Sequence, residues 1–305
     1  MEEKNDVDYS FDYDGENFTI NLDGLDLIGC QWIPPSKCPK FIILFFHGLG
    51  AFVAINRPFF PLILKNDGAI FGTDHFGHGR SPGERGYVTS ENLFDEIRLL
   101  VKRAQLLFPN IPLYIYGHSL GGLTTLSYII SFPEESKVFD GVIIEAPWLY
   151  ETTENSQSLI IKIIGLIGRY IFSSFTINLG TGFDDVYPKR FIENIMNTNL
   201  PHDYITPMLY ASAVKMRTNV ITQYKNWPAH LPLLFLQGAM DGSVGVEKNL
   251  KWAENLRDIF PNLVHLAYHK DAPHAMLRGE KGDIILHEII DFIITNSSPL
   301  TKAYI

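Results

Sequence analysis

Three things are scarce in this 305-residue chain, and each scarcity excludes a class. There are two cysteines, Cys30 and Cys38, flanking Pro34-Pro35. Two make neither a disulfide framework nor a zinc set; they could bridge in an oxidising compartment, but a reduced, cytoplasmic protein is the expectation. Positive charge is short: 25 Lys and Arg stand against 34 Asp and Glu, for a net charge of −9. Such a chain has no electrostatic reason to bind nucleic acid, and no nucleic-acid partner is expected. Long apolar runs are missing too. No uncharged stretch reaches the ~18 residues of a membrane span, Leu159 to Phe175 coming nearest. Met1 to Asp14 is acidic, without the apolar core of a secretory signal. What is present, 46% hydrophobic and 19% charged residues without repeats, describes an ordinary folded chain.

The order of segments predicts an α/β fold with a mostly parallel central sheet and helices on its faces. Short apolar runs ending in turn residues read as strands: Phe41 to Phe46, Ala69 to Thr73, Ile111 to Tyr116, Val138 to Ile144, Leu233 to Leu236 and Leu263 to Tyr268. Helices are expected from Ser90 to about Leu107, Leu120 to Ile130, Val246 to Ile259 and Ile284 to Ile294. The regular alternation breaks between Trp148 and Trp227, leaving a core of residues 1–147 and 228–305 and a helical cap at 148–227. An insertion at the C-terminal ends of sheet strands lies over the place where such sheets bind ligands.

Gly117-His118-Ser119-Leu120-Gly121 matches G-x-S-x-G, with a strand before it and a helix after it. The glycines allow a sharp turn that forces Ser119 into a strained, accessible position, which makes it the candidate nucleophile. A serine hydroxyl needs a base to take its proton and an acid to orient that base, here in the order Ser, Asp or Glu, His. Asp241 follows the fifth expected strand and His274 the sixth. Asp271 is an alternative acid, and His265 and His269 are alternative bases. The backbone N–H groups of Leu120 and of Leu49, within His47-Gly48-Leu49-Gly50, are the candidate oxyanion donors. Asp74-His75-Phe76-Gly77-His78-Gly79 has an H-x-x-H spacing unlike that of a helical zinc site. It reads as a structural loop fixing its neighbours, and neither metal nor cofactor is expected.

Taken in order, these pieces resemble the α/β-hydrolase superfamily and, more narrowly, its monoacylglycerol lipase and lysophospholipase group. The more specific match is Asp74 through Arg80-Ser81-Pro82-Gly83-Glu84-Arg85-Gly86, supported by Glu145-Ala146-Pro147 and Gly238 to Val244. The resemblance spans about Gly24 to Ile294. It implies an α/β-hydrolase fold, a Ser119–Asp241–His274 triad without cofactor, and hydrolysis of lipid esters, monoacylglycerol first. Lysophospholipids, other carboxylic esters and thioesters are alternatives, and a non-catalytic ligand-binding protein is the alternative of another class. One departure stands out: Ala51-Phe52 replace the group's Glu-His pair, which bears on the head group and leaves the chemistry intact. Arg57 matches the group's Arg.

The cap contains an almost wholly apolar helix on which Ser158, Lys162, Gly165, Arg169 and Ser173 form one narrow stripe. Two readings stand open: a helix buried on most sides, or a lid that dips into lipid with Lys162 and Arg169 near the head groups. The second adds peripheral membrane contact to the expected cytoplasmic location. Candidate substrate or lid contacts are His118, Arg57, Leu159, Ile163 and Ile167.

Overall fold

The computed structural model describes residues 11–152, 173–178, 192, 194–195 and 197–297. An eight-stranded sheet organises the chain. Its strands are β1 (Glu16–Leu22), β2 (Leu25–Trp32), β3 (Phe41–Phe46), β4 (Gly68–Thr73), β5 (Leu113–His118), β6 (Gly141–Glu145), β9 (Leu233–Gly238) and β10 (Val264–His269). The short pair β7 (Ile177–Asn178) and β8 (Tyr204–Ile205) lies outside it. The spatial order is β1-β2-β4-β3-β5-β6-β9-β10. The six strands from β4 to β10 run parallel, while β1 and β2 are antiparallel. Chain order reverses between β3 and β5, where one connection turns towards β4 and the next towards β6. That switch point opens a crevice at the strands' C-terminal ends.

Helices cover both faces because β3, β4, β5, β6 and β9 are buried along their whole lengths. On one face lie α2 (Ser90–Leu107), α3 (Leu120–Ser131), α4 (Pro207–Gln223) and α5 (Val246–Ile259), whose Leu93, Leu123, Leu209 and Trp252 join Leu44, Ile115 and Phe235 in one core. On the other, Phe60 and Ile63 of α1 (Phe60–Lys65) and Ile285, Leu286 and Ile289 of α6 (Gly282–Ser297) pack on Phe45, Tyr116 and Ile143. α2 starts one residue later than its cap: Thr89 accepts from Asn92 N–H, satisfying an otherwise orphaned donor.

The differences from expectation are local. The strand expected at Ile111 to Tyr116 starts at Leu113 and continues to His118. That expected at Val138 to Ile144 starts at Gly141, because Glu135–Val138 closes a 3-10 turn first. The β1–β2 hairpin was not expected, although Asp23-Gly24, at φ 54° and 81°, carries a strong hairpin signal. Within the stretch expected as cap, α4 packs against α3 and α2 of the core. The apolar helix expected in the cap, a Gly-rich loop expected at Gly180-Thr181-Gly182 and most of a helix expected at Lys189 to Met196 lie outside the described residues. Ser173 and Ser174 form a turn and Phe175 is exposed. No helix among the described residues is long and apolar enough to cross a membrane. Cys30 is buried, Cys38 exposed, and each is a free thiol.

Candidate active site

Ser119 sits between the last residue of β5 and the first of α3, at φ 54° and ψ −112°. A serine in that region is strained, and the surroundings hold it there. Its N–H donates to Glu145 O at 3.0 Å, and its carbonyl accepts from Leu123 N–H at 2.9 Å and Trp148 N–H at 3.1 Å. The turn also needs very close backbone approach. A Cβ on Gly121 would stand 2.1 Å from Phe46 O, and one on Gly48 3.0 Å from the Cβ of Ser119. The side chain of Ser119 is half-buried rather than fully open.

Asp241 and His274 come together at the ends of β9 and β10. His274 Nδ1 donates to Asp241 Oδ2 at 2.8 Å, both residues being buried. Asp241 also accepts from Ser243 N–H at 2.8 Å and Val244 N–H at 3.1 Å through Oδ1, and from Gln237 Nε2 at 3.1 Å through Oδ2. Burial opposes its ionisation, but His274 and the two backbone donors prevail and hold the carboxyl below the usual aspartate range. The alternatives lie elsewhere. Asp271 is exposed and pairs with Lys281 at 2.5 Å; His269 pairs with Glu288 at 2.9 Å; His265 is exposed, its ring against Phe292.

The His274 ring lies against that of His118, the residue before Ser119, with centroids 4.8 Å apart. His118 Nε2 also lies 3.3 Å from His274 O, so this expected substrate contact is buried beside the base. Burial pushes the His118 imidazole well below its ordinary value. Among the described residues neither Ser119 Oγ nor His274 Nε2 has a hydrogen-bond partner. Both atoms remain available to a reactant, and Ser–His contacts commonly tighten only in the complex.

Leu120 N–H belongs to the first turn of α3, where donors have no intrahelical acceptor. Leu49 is half-buried in the loop after β3. The loop is braced from below. His47 Nδ1 donates to Gly48 O at 2.8 Å, and its Nε2 accepts from His75 N–H at 3.2 Å. The His75 ring reaches Glu96 through Nδ1 at 2.9 Å and His47 O through Nε2 at 3.1 Å. Asp74 accepts from Val53 N–H and Arg80 N–H, each at 2.7 Å, and from Tyr13 Oη. The Asp74–Gly79 stretch is thus the structural loop its spacing suggested. Beyond it, His202 N–H donates to Gly50 O at 3.0 Å.

Arg57, an expected substrate contact, is tied to Asp14 of the N-terminal segment, Nε donating to Oδ1 at 2.6 Å. Leu159, Ile163 and Ile167 lie outside the described residues. Glu96, His202 and the carboxylate of Glu145 carry structural duties set mainly by partners distant along the chain: His75 for Glu96, Gly50 for His202, Met276 for Glu145. Among the described residues no group of three or more His, Cys, Asp or Glu side chains could hold a metal ion.

Comparison with known proteins places the chain in a family and a fold. The profile of the hydrolase family described as serine aminopeptidase S33 matches residues 37–281. The chain is 26% identical over 292 residues to the monoglyceride lipase of Rattus norvegicus, covering 88% of this chain and 87% of that one. Its fold superposes on a soluble variant of monoglyceride lipase from Saccharomyces cerevisiae in complex with a substrate analog, with a TM-score of 0.79 at 17% identity, covering 93% and 96% of the two chains. The monoacylglycerol lipase of Paleococcus ferrophilus gives a TM-score of 0.76 at 19% identity, covering 88% and 99%.

Proposed function

The chain belongs to the S33 serine aminopeptidase family of α/β hydrolases, and from that premise we propose that it hydrolyses carboxylic esters of lipids, monoacylglycerol to fatty acid and glycerol, through an acyl-enzyme on Ser119. The observation that carries this reading is the buried Asp241–His274 pair beside the strained Ser119 turn. Asp241 fixes the imidazole with its proton on Nδ1, leaving Nε2 as the base. His274 Nε2 takes the Ser119 proton as Oγ attacks the acyl carbonyl, and the N–H groups of Leu49 and Leu120 receive the developing oxyanion. The imidazolium then protonates the departing alcohol. In the second half, His274 activates water, which releases the fatty acid and restores Ser119.

The choice of monoacylglycerol rests on the two monoglyceride lipases and the monoacylglycerol lipase that the chain resembles. Contact of the cap with a lipid surface belongs to the same reading. Wild type and Ser119→Ala should be compared on monoacylglycerol, lysophosphatidylcholine, triacylglycerol and a short-chain aryl ester, following fatty acid or alcohol release. Serine-dependent preference for monoacylglycerol is expected. Preference for the lysophospholipid would change the substrate and keep the chemistry. Folded protein without ester hydrolysis would overturn the enzymatic reading.

A further inference from the structure

Glu145 ends β6, paired in register with His118 of β5 on one side and Leu236 of β9 on the other. It is fully buried and shared between two loops. Its carbonyl accepts from Ser119 N–H at 3.0 Å. Its carboxylate Oε1 accepts from Met276 N–H at 2.6 Å and Leu277 N–H at 3.2 Å, in the turn directly after His274. Oε2 accepts from Tyr116 Oη, which comes from the neighbouring strand. The turn also carries the buried Arg278, whose Nε donates to Asn56 Oδ1 at 2.9 Å and whose charge favours the Glu145 anion. A buried carboxylate persists only where donors and a cation compensate its lost hydration. Burial still raises the Glu145 carboxyl above the ordinary glutamate range, against the pull of Arg278, Tyr116 and the Leu277 N–H, and the group sits where the Ser119 turn and the His274 loop meet.

We infer that Glu145 is a positioning residue, its main chain fixing the Ser119 turn and its carboxylate fixing the His274 turn, so that the two loops share one reference point. This rests on the triad reading above. Asp241 orients the His274 ring; Glu145 sets where the backbone that carries the ring stands relative to Ser119. Misplacement of about 1 Å in such a pair costs on the order of 100-fold in rate. Because the carboxylate touches no reacting atom, its loss acts on turnover and leaves substrate affinity alone.

The test compares Glu145→Gln, Glu145→Leu and Ser119→Ala with wild type on an activated aryl ester, counting active sites by fluorophosphonate titration. Glu145→Leu removes the acceptors, and kcat per titrated site is expected to fall roughly 100-fold at an unchanged KM. Glu145→Gln keeps one oxygen for the Met276 and Leu277 N–H groups, and its kcat should fall only about 10-fold. Should the leucine variant not fold, Tyr116→Phe, which releases the far oxygen, takes its place with a several-fold fall in kcat. A folded Glu145 variant with fewer titratable sites but wild-type kcat per site would overturn the inference and leave Glu145 a purely structural residue. Wild-type turnover by Ser119→Ala would instead overturn the triad itself.

Discussion

Two buried carboxylate–histidine pairs stand at the C-terminal end of the sheet, and they are nearly alike in length. His274 meets Asp241 at 2.8 Å and His75 meets Glu96 at 2.9 Å. The difference lies at the other nitrogen. His75 uses Nε2 on His47 O at 3.1 Å, so both its nitrogens donate. Burial disfavours its charge, yet Glu96 prevails and raises the imidazole's pKa. It is a fixed, cation-like strut beneath the Leu49 loop. His274 has no partner on Nε2 among the described residues and lies against His118, next to Ser119. A carboxylate–imidazole pair becomes an acid–base device only when its second nitrogen is left to the reaction.

The sharpest break between the pairs should come from removing each imidazole. His274→Ala is expected to lower kcat by about four to six orders of magnitude, because the proposed base is lost, with a loss of Tm limited by the Ser243, Val244 and Gln237 donors that Asp241 keeps. His75→Ala should do the reverse. It leaves Glu96 buried without its cation, which costs on the order of 3–5 kcal/mol of stability, while kcat per active site falls far less. Thermal unfolding and active-site-normalised kinetics on both variants separate the two.

Acid should sharpen the comparison further. Burial pushes His47, His78 and His118 well below the ordinary 6.5 and His202 to about 4. These groups take up protons in the unfolded chain before they do so in the fold, so the stability they contribute is complete above about pH 6.5 and is lost as pH falls below it. His75, raised, behaves oppositely: its contribution is complete below its ordinary value and is lost as pH rises through the raised one. Asp241, lowered, loses its contribution only below the ordinary aspartate value of 3.8. Tm should therefore drop from pH 6.5 to pH 5, against the opposing pull of Asp74 and Glu145, whose burial-raised carboxyls take up protons first in the fold. A flat profile there would contradict neutral burial of the histidine cluster. The smallest effect is expected from Asp271→Asn, whose carboxylate faces Lys281 and solvent; kcat should stay near wild type.

The candidate triad was legible because each member sits at a strand end marked by turn chemistry: Gly117-His118-Ser119-Leu120-Gly121 after β5, Asp241 after β9, His274 after β10. The inner parallel strands β3, β4, β5, β6 and β9 were legible as apolar runs buried along their whole lengths. Boundaries were less so, since Ile111-Pro112 and Val138 to Asp140 are apolar or turn-forming without being strand. The helix α4 was hidden because its sequence has little apolar contrast between its faces, so periodicity gives no sign of it. The duties of Glu96 and His202, and of the Glu145 side chain beyond its place in Glu145-Ala146-Pro147, were illegible for a different reason. They are contacts across the sheet end, set by topology, and no spacing along the chain encodes them.

The most direct measurement sets the two acids side by side: kcat per titrated site for Asp241→Asn and Glu96→Gln, on the same ester and at the same pH. Asp241→Asn should lose on the order of 10⁴ in kcat, because its amide no longer enforces the proton on Nδ1 of His274. Glu96→Gln should lower stability and the yield of titratable sites while each remaining site turns over at close to the wild-type rate. Equal losses of kcat in both, or the larger loss in Glu96→Gln, would contradict the assignment of chemistry to the Asp241–His274 pair.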